Sequence, residues 1–305
     1  MSALEILILA LILDALFGDP DSLWRRLPHP AALMGRAVSA LDARLNTGPN
    51  RKRAGAVALA LLLIPTALIG QIIASIPDAG LLEILIAAIL LAQNSLVKHV
   101  RAVALGLKTS LAEGRRAVAM IVGRDAQSLD ETGVARSAIE SAAENFSDGV
   151  VAPAFWLLVF GLPGILVYKM ANTADSMIGY RSEKYAQFGW AAARFDDLIN
   201  WIPARLTGLL ICLAHGSVYA FKIMRRDAPL HRSPNAGWPE SATAAIAGVA
   251  ISGPRTYDGI PTNDPFVHAE GRRIVTSADI LRATRILWQS WGVLLAALIL
   301  TWLIL

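Results

Sequence analysis

The chain has 305 residues, 55% hydrophobic and only 17% charged, with a mean hydropathy of +0.49. A soluble domain usually carries about a quarter charged residues, so this composition argues for a protein embedded in a membrane. The net charge of +4 comes from cations interspersed with acids and without aromatic interleaving, which argues against nucleic-acid binding. The single cysteine, Cys212, leaves no intramolecular disulfide and reads as apolar packing, and no Cys/His group has zinc-ligand spacing.

In chain order, residues 1–17 read as a helix stopped by Gly18-Asp19-Pro20. Its apolar run has no basic residue before it and GDPD is a poor cleavage site, so it does not read as a cleaved signal. Residues 21–53 form a basic loop with an amphipathic stretch from Pro30 to Leu45. Ala54 to Ile76 supplies 23 uncharged residues, and Leu81 to Val97 follows after the turn Pro77-Asp78-Ala79-Gly80. A spanning helix needs about 20 residues. His99 to Ala119 reads as an amphipathic cytosolic helix, and Asp130 or Ser128 is placed to cap a helix starting near Glu131.

Gly149 to Tyr168 and Ile286 to Leu305 are each 20 uncharged residues, and Leu206 to Phe221 is a shorter candidate containing His215. The expectation is all-α, a polytopic integral membrane protein with five or six membrane-embedded helices, amphipathic cytosolic helices and motif-bearing loops. No repeat or low-complexity segment divides it, so 1–305 reads as one membrane domain. All 28 Lys and Arg fall within 24–53, 98–147, 169–205 and 222–285. The positive-inside rule puts the basic loops 98–147 and 222–285 on one face, the cytosolic one. Segments 149–168 and 206–221 must then both cross the membrane or both be re-entrant, with Gly161-Leu162-Pro163-Gly164 as a turning point for the first.

Four polar clusters stand out. On a helix Glu140, Glu144 and Asp148 share one face at i, i+4 and i+8, a spacing that suits Mg²⁺ and equally suits a solvated acidic face beside Arg136. Asn172, Asp175, Ser176 and Gly179, followed by Arg181 and Lys184, form either an oxygen-rich ligand set or a capped short helix. Arg194, Asp196, Asp197, Asn200 and Arg205 form a third group, read as a ligand site or as a salt-bridge lattice. Adjacent aspartates point to different sides of a helix, so at most one faces the same ligand as Asn200. The fourth, His231 to Glu240, is a Pro- and Gly-fixed loop able to present Ser233 and Asn235 with Trp238 as an apolar platform. His29, between two prolines, is ambiguous. There is no P-loop, no G-x-G-x-x-G fingerprint and no G-x-S-x-G elbow.

The blocks GDP at 18–20, HPAALMG at 29–35, ESAAENFSDGVVAP at 140–153, NTADSMIGYRSEKY at 172–185, FGWAAARFDDLINWIPARLT at 188–207 and SPNAGWPESATAAIAG at 233–248 run in a fixed order, ending with GP…Y.G from Gly253 to Gly259. In that order they resemble the adenosylcobinamide-phosphate synthase family of cobalamin biosynthesis. The resemblance covers nearly the whole chain, with 50–97 and 286–305 matching only as apolar filler. Ser182 and Lys184 are mild variants of Asn and Arg in the family pattern.

That resemblance implies an amide-forming carbon–nitrogen ligase. It joins adenosylcobyric acid to (R)-1-amino-2-propanol or its O-phosphate, with ATP consumed and Mg²⁺ required. It implies Glu140, Glu144 and Asp148 as metal ligands or acceptors of the amine proton, and Asp175 as a further metal ligand. Arg181, Lys184 and Arg194 would hold phosphates and Asn172 would orient. Asn145, Asp196, Asp197, Ser233, Asn235 and Trp238 complete the substrate-binding set, the last three toward the corrinoid or the amino alcohol. It implies a multi-pass protein of the bacterial cytoplasmic (inner) membrane, near other membrane enzymes of late cobalamin synthesis. A transporter, or a membrane sensor or regulator, is the alternative; the absence of repeated halves and the density of acids, amides and arginines weigh against both.

Overall fold

A computed structural model describes residues 1–20, 24–122, 126–257 and 260–305, with backbone alone at 255–257 and 260–262. The polar turn before Glu131 is therefore described in part, and Gly259 of the GP…Y.G pattern lies outside the described residues. The helices are α1 (Ala3–Phe17), α2 (Pro30–Leu45), α3 (Arg51–Ala74), α4 (Leu81–Leu90), α5 (Gln93–Thr109), α6 (Leu111–Val118) and α7 (Glu131–Phe146). A π-turn at Ser147–Val151 precedes α8 (Ala152–Ile178), α9 (Trp190–Ile199), α10 (Trp201–Ala214), α11 (Val218–Asp227), α12 (Gly237–Ala247) and α13 (Ser277–Ile304). Two short antiparallel ribbons lie between α12 and α13: β1 (Ile251–Ser252) pairs with β4 (Phe266–Val267), and β2 (Arg255–Tyr257) with β3 (Ile260–Thr262).

Four helical runs are long and apolar enough to cross a membrane: Arg51–Ala74, Leu81–Thr109, Glu131–Ile178 and Ser277–Ile304. Counting the broken pair α9 and α10 as one span raises this to five. The protein is a predominantly helical polytopic membrane protein, as its composition implies.

The chain divides into two compact units, each assembled from two stretches. The first comprises Met1–Ala92 and Ala152–Trp201. Its hub is α8, against which α1, α2, α3, α4 and α9 all pack. α8 is not one rod. Gly161, at φ 64° and ψ −154°, breaks it in a conformation open essentially to glycine alone. Beyond the break the chain folds back: a Cβ placed on Gly164 would collide with the Trp156 carbonyl oxygen and come within 2.8 Å of the Phe160 Cβ. Residues eight apart on a straight helix are separated by about 12 Å. The turning point expected at Gly161–Gly164 is present. The Trp156 Nε1–H then donates to the Ile199 carbonyl at 3.1 Å, fastening the first arm to the end of α9.

The second unit comprises Gln93–Val151 and Ile202–Leu305, with α7 as its hub. Helices α5, α6, α12 and α13 and strand β1 pack on α7, whose buried faces are mostly Ala and Ser. Small side chains permit this close approach from several directions. Asp130 caps α7 as expected, its carboxylate accepting the Gly133 N–H at 2.6 Å. The single amphipathic helix expected over 99–119 is two helices. Ser110 takes an extended conformation (φ −167°, ψ 160°) and caps α6 through its hydroxyl, and α6 folds back onto α5. Segment 206–221 is also interrupted. α10 ends at Ala214, Gly216 has φ 56°, and Ser217 starts α11. Its 14 residues reach about 21 Å, short of a hydrocarbon core of about 30 Å.

Candidate functional site

The first unit gathers the second and third polar clusters. Asp196 is nearly buried on α9, and its oxygens accept from two amides: Asn200 Nδ2 at 2.9 Å and Asn172 Nδ2 at 3.4 Å. Asn200 in turn accepts from the Tyr168 hydroxyl at 3.0 Å. Tyr168 and Asn200 are each 1% exposed. A buried phenol needs such a partner. Around this relay lies an apolar cluster of Ala152, Tyr168, Ala171 and Ile199, with Leu63, Trp156 and Phe195 against it, which fixes the two helices that present the polar groups.

Asp175, one turn beyond Asn172, lies within electrostatic reach of both Asp196 and Asp197. Among the described residues no donor reaches its carboxylate. A Cβ on Gly179 would collide with the Asp175 carboxylate and lie 2.6 Å from its backbone carbonyl, so glycine at 179 makes room for that acid. The two adjacent aspartates do point apart. Asp196 faces the amides, while Asp197 pairs with Arg194 at 3.4 Å and feels Arg181.

Lys184 is held differently from the phosphate contact implied for it. Its Nζ donates to Asp42 Oδ2 at 2.9 Å and to the Tyr185 hydroxyl at 2.7 Å, and Tyr185 also donates to Asp42 at 3.1 Å. Asn46 donates to the other Asp42 oxygen at 2.8 Å and to the Lys184 carbonyl at 3.3 Å. This clasp straps the segment bearing Arg181 onto α2. Burial pushes the Asp42 carboxyl up, but the hydrogen bonds from Lys184, Asn46 and Tyr185 outweigh it and hold the group below the usual carboxylate range. The clasp therefore contributes fully above the unfolded value of about 4 and is lost as pH falls through the lower folded one. Replacing Asp42 with Ala is expected to cost about 1–3 kcal/mol, since it removes the shared acceptor of three hydrogen bonds, and Lys184→Ala, at a fully exposed side chain, is expected to cost less. Thermal melts of the detergent-solubilised protein between about pH 7 and pH 3 would check both, the wild-type advantage over Asp42→Ala shrinking toward the acid end.

The second unit holds the first and fourth clusters. Glu140 is 6% exposed and accepts the Ser252 N–H at 2.7 Å. Ser252 takes a left-handed conformation (φ 58°) to present that N–H, and at the other ribbon strand His268 (φ 53°) presents its own to Asp227 at 2.7 Å. Left-handed backbone in a residue other than glycine costs of order 1 kcal/mol or more, so each buried carboxylate holds a strained turn. Arg226 bridges Asp227 and Glu270, and its hydrogen bonds hold the Glu270 carboxyl down at about 2.

Glu144 is exposed, and Asn145 bonds back to the Ser141 carbonyl at 2.8 Å and hydroxyl at 3.0 Å. The regular helix that would align Asp148 with Glu140 and Glu144 ends at Phe146, and Asp148 sits in the wider π-turn. Single π-turns inside helices recur at functional sites. In the loop after α11, the Ser233 hydroxyl accepts the Asn235 and Ala236 N–H groups at 3.2 Å and so shapes the turn. The Arg205 guanidinium lies 4.6 Å from the Trp238 ring and reaches Asn235 Oδ1 at 3.5 Å. His231 Nδ1 accepts the Ser233 N–H at 3.0 Å, which leaves its Nε2 facing buried Glu240 at 3.7 Å. His29 repeats this in the first unit: Nδ1 accepts the Ala31 N–H at 3.1 Å and Nε2 faces Asp19 at 3.5 Å.

Among the described residues no group of three His, Cys, Asp or Glu is arranged to hold a metal ion. Mg²⁺ commonly takes only one or two carboxylates, with water and substrate phosphates completing its shell. Asp175, with Asp196 as its acidic neighbour, fits that smaller demand. Asp42 and Tyr168 belong to these constellations without having stood out as candidates, and Arg205, His231 and Glu240 were named within their clusters without a role of their own. Arg205 carried a signal in its cluster, whereas Asp42 sat unremarked inside a basic amphipathic stretch.

The fold and the two carboxylate-rich clusters define a polytopic helical membrane protein with polar groups gathered on and around its two hub helices. The sequence matches the CobD/Cbib protein family over residues 7–287, and the chain belongs to that family. It is 48% identical to the cobalamin biosynthesis protein CobD of Rhizobium meliloti (strain 1021) over 308 residues, covering 95% of this chain and 94% of that one. It is 51% identical to the protein of the same name from Sinorhizobium sp over 294 residues, 91% of each, and 46% identical to that of Rhodobacter capsulatus over 275 residues, 88% of each. No solved structure is significantly similar to the chain.

Proposed function

We propose that this chain acts in cobalamin biosynthesis as an ATP-dependent amide-forming enzyme. It joins a propionate carboxyl of adenosylcobyric acid to the amine of (R)-1-amino-2-propanol or its O-phosphate, giving adenosylcobinamide or its phosphate. The observation that carries the reading is the family match over 7–287, with relatives named as cobalamin biosynthesis proteins aligned along nearly the whole chain. The clustered acids, amides and arginines support it, because the reaction needs phosphate charge neutralised and an amine proton accepted.

A carboxylate has no adequate leaving group, so activation comes first. A propionate oxygen attacks the γ-phosphorus of ATP, the bond to ADP breaks, and an acyl phosphate results. The amine nitrogen then attacks the acyl carbon, phosphate departs, and one proton passes to a carboxylate of the protein. Mg²⁺, when bound, neutralises phosphate oxygens during the transfer. Asp175 is assigned to hold it, with Asn172 fixing Asp196 alongside. Glu140, Glu144 and Asp148 are assigned to metal holding or to accepting the amine proton. Arg181 and Arg194 are assigned to phosphates, bidentately where the fork permits. The Asp42–Lys184 clasp fixes the loop that carries Arg181. Ser233, Asn235 and Trp238 are assigned to the corrinoid or amino alcohol, with Asn145 and Asp197 completing the set. We place the protein in the bacterial cytoplasmic (inner) membrane, beside other membrane enzymes of the late pathway.

The test uses purified protein in detergent with adenosylcobyric acid, ATP-Mg²⁺ and the amine, free or phosphorylated, followed by mass spectrometry of the corrinoid. The expected result is a mass gain equal to the condensed arm, lost without ATP and reduced about 10²-fold or more in Glu140→Ala or Asp148→Ala. No gain with either amine, from protein shown to be folded, would restore the transporter and regulator readings. Corrinoid flux in sealed vesicles without ATP hydrolysis would select the first of these.

A further inference from the structure

The outer face of α5 carries a pattern that the proposed reaction does not use. Leu96, Val97, Val100, Val103 and Ala104 are buried against the second unit. On the opposite side Lys98, Arg101, Leu105 and Lys108 are all exposed. At 100° per residue these four fall within about 80° of one another, a single stripe. Among the described residues none of the three cations has an ion-pair or hydrogen-bond partner. The acid next along the hairpin, Glu113, is engaged by Arg116. Leu105, in the middle of the stripe, is 59% exposed, and Met120, just past α6, is 76% exposed.

Where the stripe begins matters as much as what it contains. Lys98 is the first charge after the uncharged stretch 84–97, inside the run Leu81–Thr109 that is apolar enough to cross a membrane. A cation at the end of an embedded segment lies at head-group depth, and its aliphatic stem can remain in apolar surroundings. An exposed leucine between such cations has a natural partner in acyl chain and glycerol backbone, which an acidic protein surface would not offer. We infer that the Lys98–Arg101–Leu105–Lys108 face of α5 is a binding surface for anionic phospholipid, with the cations on the head-group phosphate and Leu105 against the acyl boundary.

The test uses the full chain in detergent, titrated with fluorescent phosphatidylglycerol and, in parallel, fluorescent phosphatidylcholine. Wild-type protein is expected to prefer phosphatidylglycerol, and the preference is expected to fall as salt is raised. The triple variant Lys98→Gln/Arg101→Gln/Lys108→Gln should lose that preference by about fivefold for each cation removed, and should no longer respond to salt. Leu105→Ser should weaken both lipids alike and leave their ratio unchanged. All four positions are exposed, so both variants should retain the wild-type melting temperature. A triple variant that keeps the wild-type preference overturns the inference. So does a wild-type protein with no preference, which would reassign the stripe to an acidic protein partner.

Discussion

Replacing Asp196 with Asn is expected to lower corrinoid amidation by about 10²-fold or more while leaving the protein folded. The two halves of that expectation come from different parts of the geometry. Asp196 is the acceptor on which the buried chain Tyr168–Asn200–Asp196 ends, and Asn172 closes it from α8. An amide in its place keeps the shape but changes one oxygen into a donor. Asn200 can reverse its own amide and the Tyr168 hydroxyl can accept, so the relay adapts at a cost of about 1 kcal/mol. The charge cannot be recovered, and its neighbours Asp175 and Asp197 lose the companion that makes this corner attractive to a cation. Asp196→Ala removes the acceptor as well and should cost a further 1–3 kcal/mol or so. Asp197→Asn, which breaks a half-exposed pair with Arg194, should change stability by less than about 1 kcal/mol. Turnover by mass spectrometry and thermal melts in detergent separate the cases. Wild-type turnover in Asp196→Asn would falsify the placement of this carboxylate at the reacting centre.

The second large effect is structural. Gly164→Val should prevent the first unit from assembling, because its Cβ would already collide with the Trp156 carbonyl oxygen and the Phe160 Cβ, with two methyl groups still to be housed. Overpacking typically costs about 1–3 kcal/mol where neighbours can move. Here one neighbour is backbone, and separating the arms also breaks the Trp156–Ile199 bond. Gly161→Ala should be milder, about 1–3 kcal/mol, since only the backbone conformation at that residue is affected. Fluorescence-detected size exclusion of the two variants would show aggregated Gly164→Val and monodisperse, less stable Gly161→Ala. A monodisperse, wild-type-like Gly164→Val would mean that α8 is not folded back at this point.

What the sequence disclosed and what it hid follow one physical division. Helix starts and stops set by neighbouring residues were legible: α1 ending before Gly18-Asp19-Pro20, α2 beginning at Pro30, and α7 capped by Asp130. Gly161–Gly164 could be named as a turning point because glycine and proline act locally. Ser110 could not, since a lone serine inside an amphipathic pattern is tolerated in a helix and breaks it only when α6 has somewhere to fold. The same holds for the sites. Asp196 and Asn200 are i and i+4 on one helix and could be paired by counting. Asp42 meets Lys184 across 142 positions, and Glu140 meets Ser252 across 112, separations that no local pattern encodes. The π-turn at Ser147–Val151 also shifted Asp148 out of a register that assumed 3.6 residues per turn.

The interleaving of the two units bears on how the protein is made. The first unit needs residues before Ala92 and residues after Val151, and the second needs Gln93–Val151 together with the last hundred residues. At translation rates of about 5–20 residues per second, α3 emerges and then waits about 6–25 s for the segment through Trp201 that completes its packing. In that interval its polar-seeking ends and its bare apolar sides have only lipid and the insertion machinery for company. Neither unit can be finished early and stored, so a ribosome stalled anywhere before Trp201 releases no completed half.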